Sequence, residues 1–138
     1  MPRTTIHRVQ VQFGDCDPAQ IAFFPNYFRW CDAATLHFFT SGGMVWREPD
    51  APGGFVGIPV VEVGCKFLRP TTYGDTLEVH TRVEEWREKS FVMKHEIRRN
   101  GELLAEASEV RVFAIRHPED PKRIKAVPPP EDFRRQCE

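Results

Sequence analysis

The hydrophobic pattern of the first third of the chain predicts one strand followed by one long helix. Residues 6–13 alternate between polar and apolar side chains, with Val9, Val11 and Phe13 on one face, which is typical of a half-buried strand. From residue 26 to residue 40, apolar side chains cover most of the helical circumference, and Pro25 suits a first helical turn. We therefore expect a helix that is buried on several sides.

The rest of the chain predicts antiparallel strands. Alternation recurs at residues 58–69, 75–86, 91–98 and 103–115. Asn100-Gly101, between the last two stretches, is typical of a type I′ hairpin turn. The apolar phase of the last strand shifts after Ala107, and a β-bulge near Ser108 or Glu109 would account for the shift. Residues 131–136 predict a short terminal helix.

The order of these elements predicts an α+β hot-dog fold, in which a strongly curved antiparallel sheet of about five strands wraps a long central helix. We expect residues 1–138 to form one domain, since this length suffices for a core without metal or disulfide links. Trp86 and Val92 lie on otherwise charged strand faces. They indicate a partner subunit and therefore a homo-oligomer.

Composition narrows the functional classes. Nineteen basic residues against 20 acidic ones give a net charge of −1, which provides no general basic surface for nucleic acid. The four cysteines contain no C-x-x-C pair, so neither a zinc site nor a disulfide framework is expected. The five histidines show no paired spacing, and none is assigned to catalysis or metal. The absence of a signal-like or membrane-spanning apolar run predicts a cytoplasmic protein. No cofactor is expected.

Two acids precede the helix, and they are the candidate chemistry. Asp15 and Asp17 flank Cys16 in the loop at residues 14–20. A carboxylate can attack or act as a base, and the unpaired amides at a helix start can polarise a carbonyl. The competing interpretation is that both acids only cap the loop. Cys16 is a poor nucleophile here, because two neighbouring carboxylates oppose a thiolate.

Three stretches in the right order resemble the 4-hydroxybenzoyl-CoA thioesterase family of the hot-dog fold. The first contains FGDCDPA at 13–19, FPNY at 24–27, RW at 29–30 and DAA at 32–34. The others are EWREKSFV at 85–92 and EVRVFA at 109–114. The resemblance implies hydrolysis of an aromatic acyl-CoA to the free acid and CoA. Family members are tetramers, built as dimers of dimers with sites at subunit interfaces.

The resemblance also implies roles for individual residues. Asp17 matches the catalytic carboxylate, which acts as nucleophile or general base, and the backbone N–H of Phe24 matches the donor that polarises the thioester carbonyl. Asp32 and Trp46 match residues that line the acyl pocket. The CoA phosphates would be held by basic residues at three positions: Arg87, Lys89 and Lys125.

The chain departs from the family pattern at four positions. Phe24 replaces a tyrosine, Gln20 replaces a glycine, Ile58 in the acyl pocket replaces a threonine, and Glu88 replaces an arginine. The lost hydroxyls keep open a thioesterase for short or medium aliphatic acyl-CoA or for acyl carrier protein. A non-catalytic module that binds acyl-CoA is the alternative from another class.

Overall fold

The computed structural model describes residues 2–44 and 53–138, and it confirms the curved antiparallel sheet with one long helix. The elements in chain order are β1 (Thr5–Gln10), a 3-10 turn (Phe13–Asp15), α1 (Pro25–Ser41), β2 (Phe55–Gly57), β3 (Val60–Phe67), β4 (Thr76–Trp86), β5 (Ser90–Arg99), β6 (Glu102–Arg116), β7 (Ile124–Val127) and α2 (Glu131–Arg135). No helix in these two ranges is long and apolar enough to cross a membrane.

The described residues form seven strands, where the sequence predicted about five. The predicted strand at 58–69 corresponds to β3, and the short strand β2 that precedes it was missed. Pro59, which lacks the N–H that a continuous ladder requires, lies between the two strands. The short strand β7 was missed. The strands pair in the order β1-β4-β5-β6. The other edge of β6 pairs with β3 and β2, and β7 pairs with the β5-side edge of β6 beyond the end of β5.

The β5–β6 hairpin confirms the predicted turn. Asn100 and Gly101 have φ values of 50° and 81°, as a type I′ turn requires at both central positions. Its two-residue loop joins paired residues Arg99 and Glu102.

The predicted bulge near Ser108 is wrong. The β5–β6 pairing runs without interruption over residues 105–112 of β6, and its irregularity lies at Leu104 instead. The inward face of β6 therefore continues through Glu109 and Arg111, which are 2% and 5% exposed. Two charged residues occupy positions that the alternation had assigned to solvent.

The helix is buried along one stripe rather than on several sides, which corrects the expectation from its apolar pattern. The buried residues are Asn26, Tyr27, Trp30, Cys31, Ala34, Thr35, Phe38 and Phe39. The opposite face carries Asp32 and Leu36, and Leu36 is 50% exposed. In a single chain one side of α1 is therefore open.

Two apolar clusters fill the space between helix and sheet. The first lies under the N-terminal half of α1 and includes Tyr27, Trp30, Leu77, Val79 and Ile97. The second lies under its C-terminal half and includes Phe38, Phe39, Phe91, Phe113 and Phe133. A group of buried polar residues joins the middle of the helix to the sheet: Thr35, Thr81, His95, Glu109 and Arg111.

Trp86 and Val92 are largely covered within the chain, so they do not mark the partner surface that the sequence indicated. Trp86 packs against Phe91 and Phe133, with ring centroids 5.2 and 6.3 Å away, and Val92 is buried. Exposed apolar side chains occur on β3 instead, where Val61 and Val63 are 61% and 46% exposed.

Candidate active site

Asp17 lies at a tight turn between the 3-10 segment and α1. Its N–H donates to the carbonyl of Ile21 at 3.0 Å, and its own carbonyl accepts from the N–H of Gln20 at 2.8 Å. Its Oδ1 accepts from the N–H of Ala19 at 2.9 Å. Within the described part of the chain, Oδ2 has no hydrogen-bond partner. The turn therefore fixes the carboxylate through one oxygen and leaves the other available.

Asp15 differs from Asp17 in what it joins and in its position, because it does not line the cavity that contains Asp17. Its Oδ2 accepts from the N–H of Gln12 at 2.8 Å. Its carbonyl accepts from the N–H of Phe23 and from Nδ2 of Asn26, both at 2.8 Å. Asp15 thus connects the 3-10 turn to the start of α1.

Gln20 adopts a backbone conformation that favours glycine, with φ at 68°. This explains physically why a glycine suits the position better than glutamine. A non-glycine residue in the left-handed region costs about 1–2 kcal/mol, so the turn that carries Asp17 is strained in this chain.

Gln20→Gly should therefore stabilise the protein by up to about 1 kcal/mol, after the extra backbone entropy of glycine is subtracted. The midpoint of urea unfolding would measure the change. Gln10→Gly is the matched control, since Gln10 lies in β1 and has a negative φ. It should destabilise by about 0.5–1 kcal/mol. Equal destabilisation by both variants would show that the Gln20 turn stores no strain.

Hydrogen bonds from the segment just before β4 stabilise the Asp17 turn. Oγ1 of Thr72 donates to the carbonyl of Gln20 at 2.6 Å. Oδ2 of Asp75 accepts from Oγ1 of Thr71 at 2.7 Å, from the N–H of Thr72 at 3.0 Å and from Nη1 of Arg99 at 2.9 Å. Burial alone would raise the pKa of Asp75, but these hydrogen bonds outweigh it and lower the pKa. Asp75 is therefore ionised near neutral pH, and its hydrogen bonds hold the segment that contacts the Asp17 turn.

The start of α1 lies directly after this turn. Phe24 is the N-cap, with φ −56° and ψ −32°, and Pro25 occupies the first helical position. The backbone N–H of Phe24 has no acceptor within residues 2–44 and 53–138, and its ring is 57% exposed. An unpaired amide at the positive end of a helix can polarise a carbonyl oxygen.

Two predicted acyl-pocket positions, Asp32 and Ile58, meet in a cavity of about 370 Å³. Arg111 joins them there. Its Nη2 donates to Oδ1 of Asp32 at 2.8 Å, and its Nη1 donates to the carbonyl of Ile58 at 2.7 Å. The remaining lining residues are mostly apolar and include Leu36, Val56, Pro59 and Ile124. Trp46, the other predicted pocket residue, lies outside the described residues.

The guanidinium of Arg111 is held from the core by Glu109. Its Nε and Nη2 donate to the two oxygens of that carboxylate at 3.2 and 3.1 Å. Oε1 of Glu109 also lies 2.9 Å from Nε2 of His95 and 2.6 Å from Oγ1 of Thr35. Burial would raise the pKa of Glu109, but His95 and then Arg111 outweigh it and lower the pKa to about 2. Glu109 is therefore a buried carboxylate that is ionised at neutral pH.

One chain does not bring all predicted site residues together. Asp17 lines a cavity of about 410 Å³ with Phe13 and Tyr73, and this cavity shares no lining residue with the Asp32 cavity. Arg87 and Lys89 lie in the β4–β5 turn, whereas the Asp17 turn lies at the opposite end of β4. Since β4 has 11 residues, these ends are roughly 35 Å apart.

The basic residues lie at one end of the sheet. Arg87 and Lys89 precede the pair Ser90–Val112, and Lys125 pairs with Ile115 three residues further along β6. Nη2 of Arg87 contacts Oε2 of Glu85 at 2.9 Å, and the side chain of Lys89 is exposed. These basic residues are remote from Asp17 of the same chain.

Comparison with known proteins places this geometry in a family. A family model described as the thioesterase-like superfamily matches residues 11–137. The chain belongs to the thioesterase-like superfamily. It is 38% identical over 143 aligned residues to 4-hydroxybenzoyl-CoA thioesterase from Pseudomonas sp. strain CBS-3, with 99% of each chain covered. This finding confirms the family resemblance that the three sequence motifs predicted.

Solved structures of other thioesterases have the same fold as this superfamily member. A D17N mutant of 4-hydroxybenzoyl-CoA thioesterase complexed with 4-hydroxybenzoyl-CoA matches at a TM-score of 0.88, with 37% identity and 99% of each chain covered. A gentisyl-coenzyme A thioesterase matches at 0.78, with 31% identity, covering 96% of this chain and 98% of that one. Both likenesses extend over nearly the whole thioesterase-like chain.

Sequence reasoning missed the buried partners of the acyl cavity in this thioesterase-like chain. Glu109 and Arg111 were noted as part of a motif but received no role. The available signal was their spacing, because two charged residues two positions apart share one face of a strand. That face proved to be the inner one.

Proposed function

We propose that the protein is an acyl-CoA thioesterase that hydrolyses an aromatic acyl-CoA, 4-hydroxybenzoyl-CoA or a close relative, to the free acid and CoA. The observation that carries this proposal is the Asp17 turn, which presents an unpaired carboxylate oxygen just ahead of an unpaired amide at a helix start. The 38% identity to a 4-hydroxybenzoyl-CoA thioesterase supports the substrate class.

The proposed chemistry needs an attacking group and a polarised carbonyl. Asp17 supplies the first, either by attacking the thioester carbon itself or by taking a proton from an attacking water. The N–H of Phe24 supplies the second by donating to the carbonyl oxygen as negative charge develops there. The C–S bond then breaks, and the thiolate of CoA leaves with the electron pair. In the nucleophilic route, water afterwards hydrolyses the acyl–aspartyl anhydride.

The nucleotide part of CoA would be bound by Arg87, Lys89 and Lys125, since all three carry positive charge at one end of the sheet. Because this end is remote from Asp17 of the same chain, the basic residues and the carboxylate that serve one substrate would come from different subunits. Glu85 must then share Arg87 with a phosphate.

We propose a cytoplasmic homo-oligomer, a tetramer built as a dimer of dimers. Within the described ranges, β3 pairs with β6 on one side and with no strand on the other. It exposes Val61, Val63 and Phe67 by 61%, 46% and 48%. An edge strand with exposed apolar side chains can pair with another strand, and a second copy of β3 is the occupant of matching chemistry. Such pairing would also approach the open face of α1.

Val63→Lys should separate the subunits, because a charge on an edge strand opposes strand pairing. Size-exclusion chromatography with light scattering would measure a shift from a multiple of the 16.0 kDa chain towards the single chain. Ile6→Lys is the matched control, since Ile6 is 39% exposed on the edge strand β1. Retention of the parental mass by the Val63 variant would contradict assembly through β3.

A panel of thioesters tests the proposed activity against its alternatives. Release of free CoA from benzoyl, hydroxybenzoyl and aliphatic acyl-CoA, followed with a thiol reagent, should be fastest for an aryl thioester. Faster release from aliphatic substrates would favour a thioesterase for short or medium chains, for which Ile58 provides an apolar pocket wall. Tight binding of acyl-CoA without thiol release would favour a non-catalytic binding module.

A further inference from the structure

We propose that Arg111 is a positioning residue for acyl specificity, which holds the carboxylate of Asp32 at the cavity wall as the acceptor for a hydroxyl group on the far end of an aryl substrate. This inference rests on the proposed thioesterase function and deepens it. It assigns a role to a buried side chain that neither attacks the thioester nor contacts the CoA phosphates.

Asp32 alone would be poorly positioned. It lies on the open face of α1, and its side chain is 72% exposed. A short carboxylate with that exposure has several rotamers of similar energy. Its Oδ1 is bound by Nη2 of Arg111 at 2.8 Å, and Oδ2 has no partner within the described part of the chain. The contact therefore fixes one oxygen and leaves an acceptor in the cavity.

Arg111 is itself immobilised by the core. Its side chain is 6% exposed, and its guanidinium makes two hydrogen bonds to Glu109 and one to the carbonyl of Ile58. Glu109 is in turn held by Thr35 on the helix and by His95 on β5. These contacts join α1, β2–β3, β5 and β6 at one point, so the position of Asp32 is set by the sheet as well as by its own helix.

The chemistry of the wall then selects the substrate. The cavity is mostly apolar, as an aryl ring requires, and Asp32 and Arg111 are its charged members. Asp32 is exposed in the free chain, but an aryl ring in the cavity would cover its carboxylate. A site that accepts a hydrogen bond from a substrate hydroxyl then rejects the analogue that lacks it, because the covered oxygen is left unpaired. A fixed carboxylate should therefore favour hydroxylated over plain benzoyl thioesters.

Arg111→Lys tests this assignment, since lysine keeps the positive charge but cannot bind Glu109, Ile58 and Asp32 at once. In kcat/KM, the preference for hydroxybenzoyl-CoA over benzoyl-CoA should fall by about tenfold or more, mainly through a higher KM for the hydroxylated substrate. Adding Arg111→Lys to Asp32→Ala should reduce the preference little further, because the two residues act as one unit.

Arg98→Lys is the control, because Arg98 also pairs with a glutamate, Glu96, but lies outside the cavity. It should leave the preference unchanged. If Arg111→Lys does not fold, Glu109→Gln removes one anchor of the guanidinium and should also weaken the preference. The role of Arg111 is overturned if a folded Arg111 or Glu109 variant keeps the parental preference for hydroxybenzoyl-CoA. It is also overturned if the parent enzyme shows no such preference. Failure of the parent to hydrolyse any aryl thioester overturns the proposed function instead.

Discussion

Asp17→Asn should lower kcat for thioester hydrolysis by about 10²–10⁴-fold, the contribution of a positioned acid or base. Asparagine is close in size, and its side-chain oxygen can still accept from the N–H of Ala19. The turn should therefore keep its geometry while the attacking or proton-accepting oxygen is lost. Thiol release from 4-hydroxybenzoyl-CoA measures the effect, and circular dichroism and light scattering verify the fold and the oligomer.

Asp15→Asn is the matched control for this experiment. It lies two residues away, its Oδ2 accepts from the N–H of Gln12, and it does not line the cavity that Asp17 lines. An amide oxygen can make that hydrogen bond, so activity should stay within a few-fold of the parent. Parental turnover by the Asp17 variant would exclude the proposed mechanism. Equal loss in both variants would indicate that the acidic turn acts only through its structure.

The sequence predicted the parts of the fold that depend on local pattern. The helix, the alternating strands and the Asn100-Gly101 turn each have a period or a backbone preference that is visible within a few residues. The short strands β2 and β7 were missed, since a strand of three or four residues is not distinguished by alternation. Pairing with β6 stabilises β7, and that partner is distant in sequence.

The inner face of β6 shows a different limit. Polarity alone places Glu109 and Arg111 outside, so the sequence appeared to change phase after Ala107. In the structure the phase continues, and the charges are buried because partners on other elements bind them. His95 and Thr35 are 14 and 74 residues from Glu109. Tertiary contacts of this kind cannot be read from the period of one strand.

The candidate site, too, was predicted from the sequence only where its residues are close together along the chain. Asp17 and Phe24 are neighbours along the chain, and the motif alone was sufficient to place both in one turn and helix start. The contact between Asp32 and Arg111 joins residues 79 apart, and no local signal pointed to it. The separation of Asp17 from Arg87 follows from the length of β4 together with the contact between Thr72 and Gln20, which places the Asp17 turn at the start of that strand.

Glu109→Ala should destabilise the protein by about 3–5 kcal/mol at pH 7, because it leaves the charge of Arg111 buried without its main partner. Urea unfolding at a fixed protein concentration would measure the loss. The control is Glu96→Ala, whose ion pair with Arg98 is more exposed, with side chains 28% and 29% exposed. A partly exposed pair contributes about 0–1 kcal/mol. A similar small loss in both variants would show that Arg111 does not depend on Glu109.

The pH dependence gives the same prediction a second, independent readout. Burial raises the pKa of Glu109, but the interactions with His95 and Arg111 prevail and lower it from 4.5 to about 2. A carboxylate with a lowered pKa contributes its full stabilisation above the unfolded value near 4.5, and this contribution is lost as the pH falls towards 2. The difference in stability between parent and Glu109→Ala should therefore narrow as the pH falls from about 5 to about 3. A constant difference across that range would mean that packing, rather than the charge of Glu109, holds Arg111 in place.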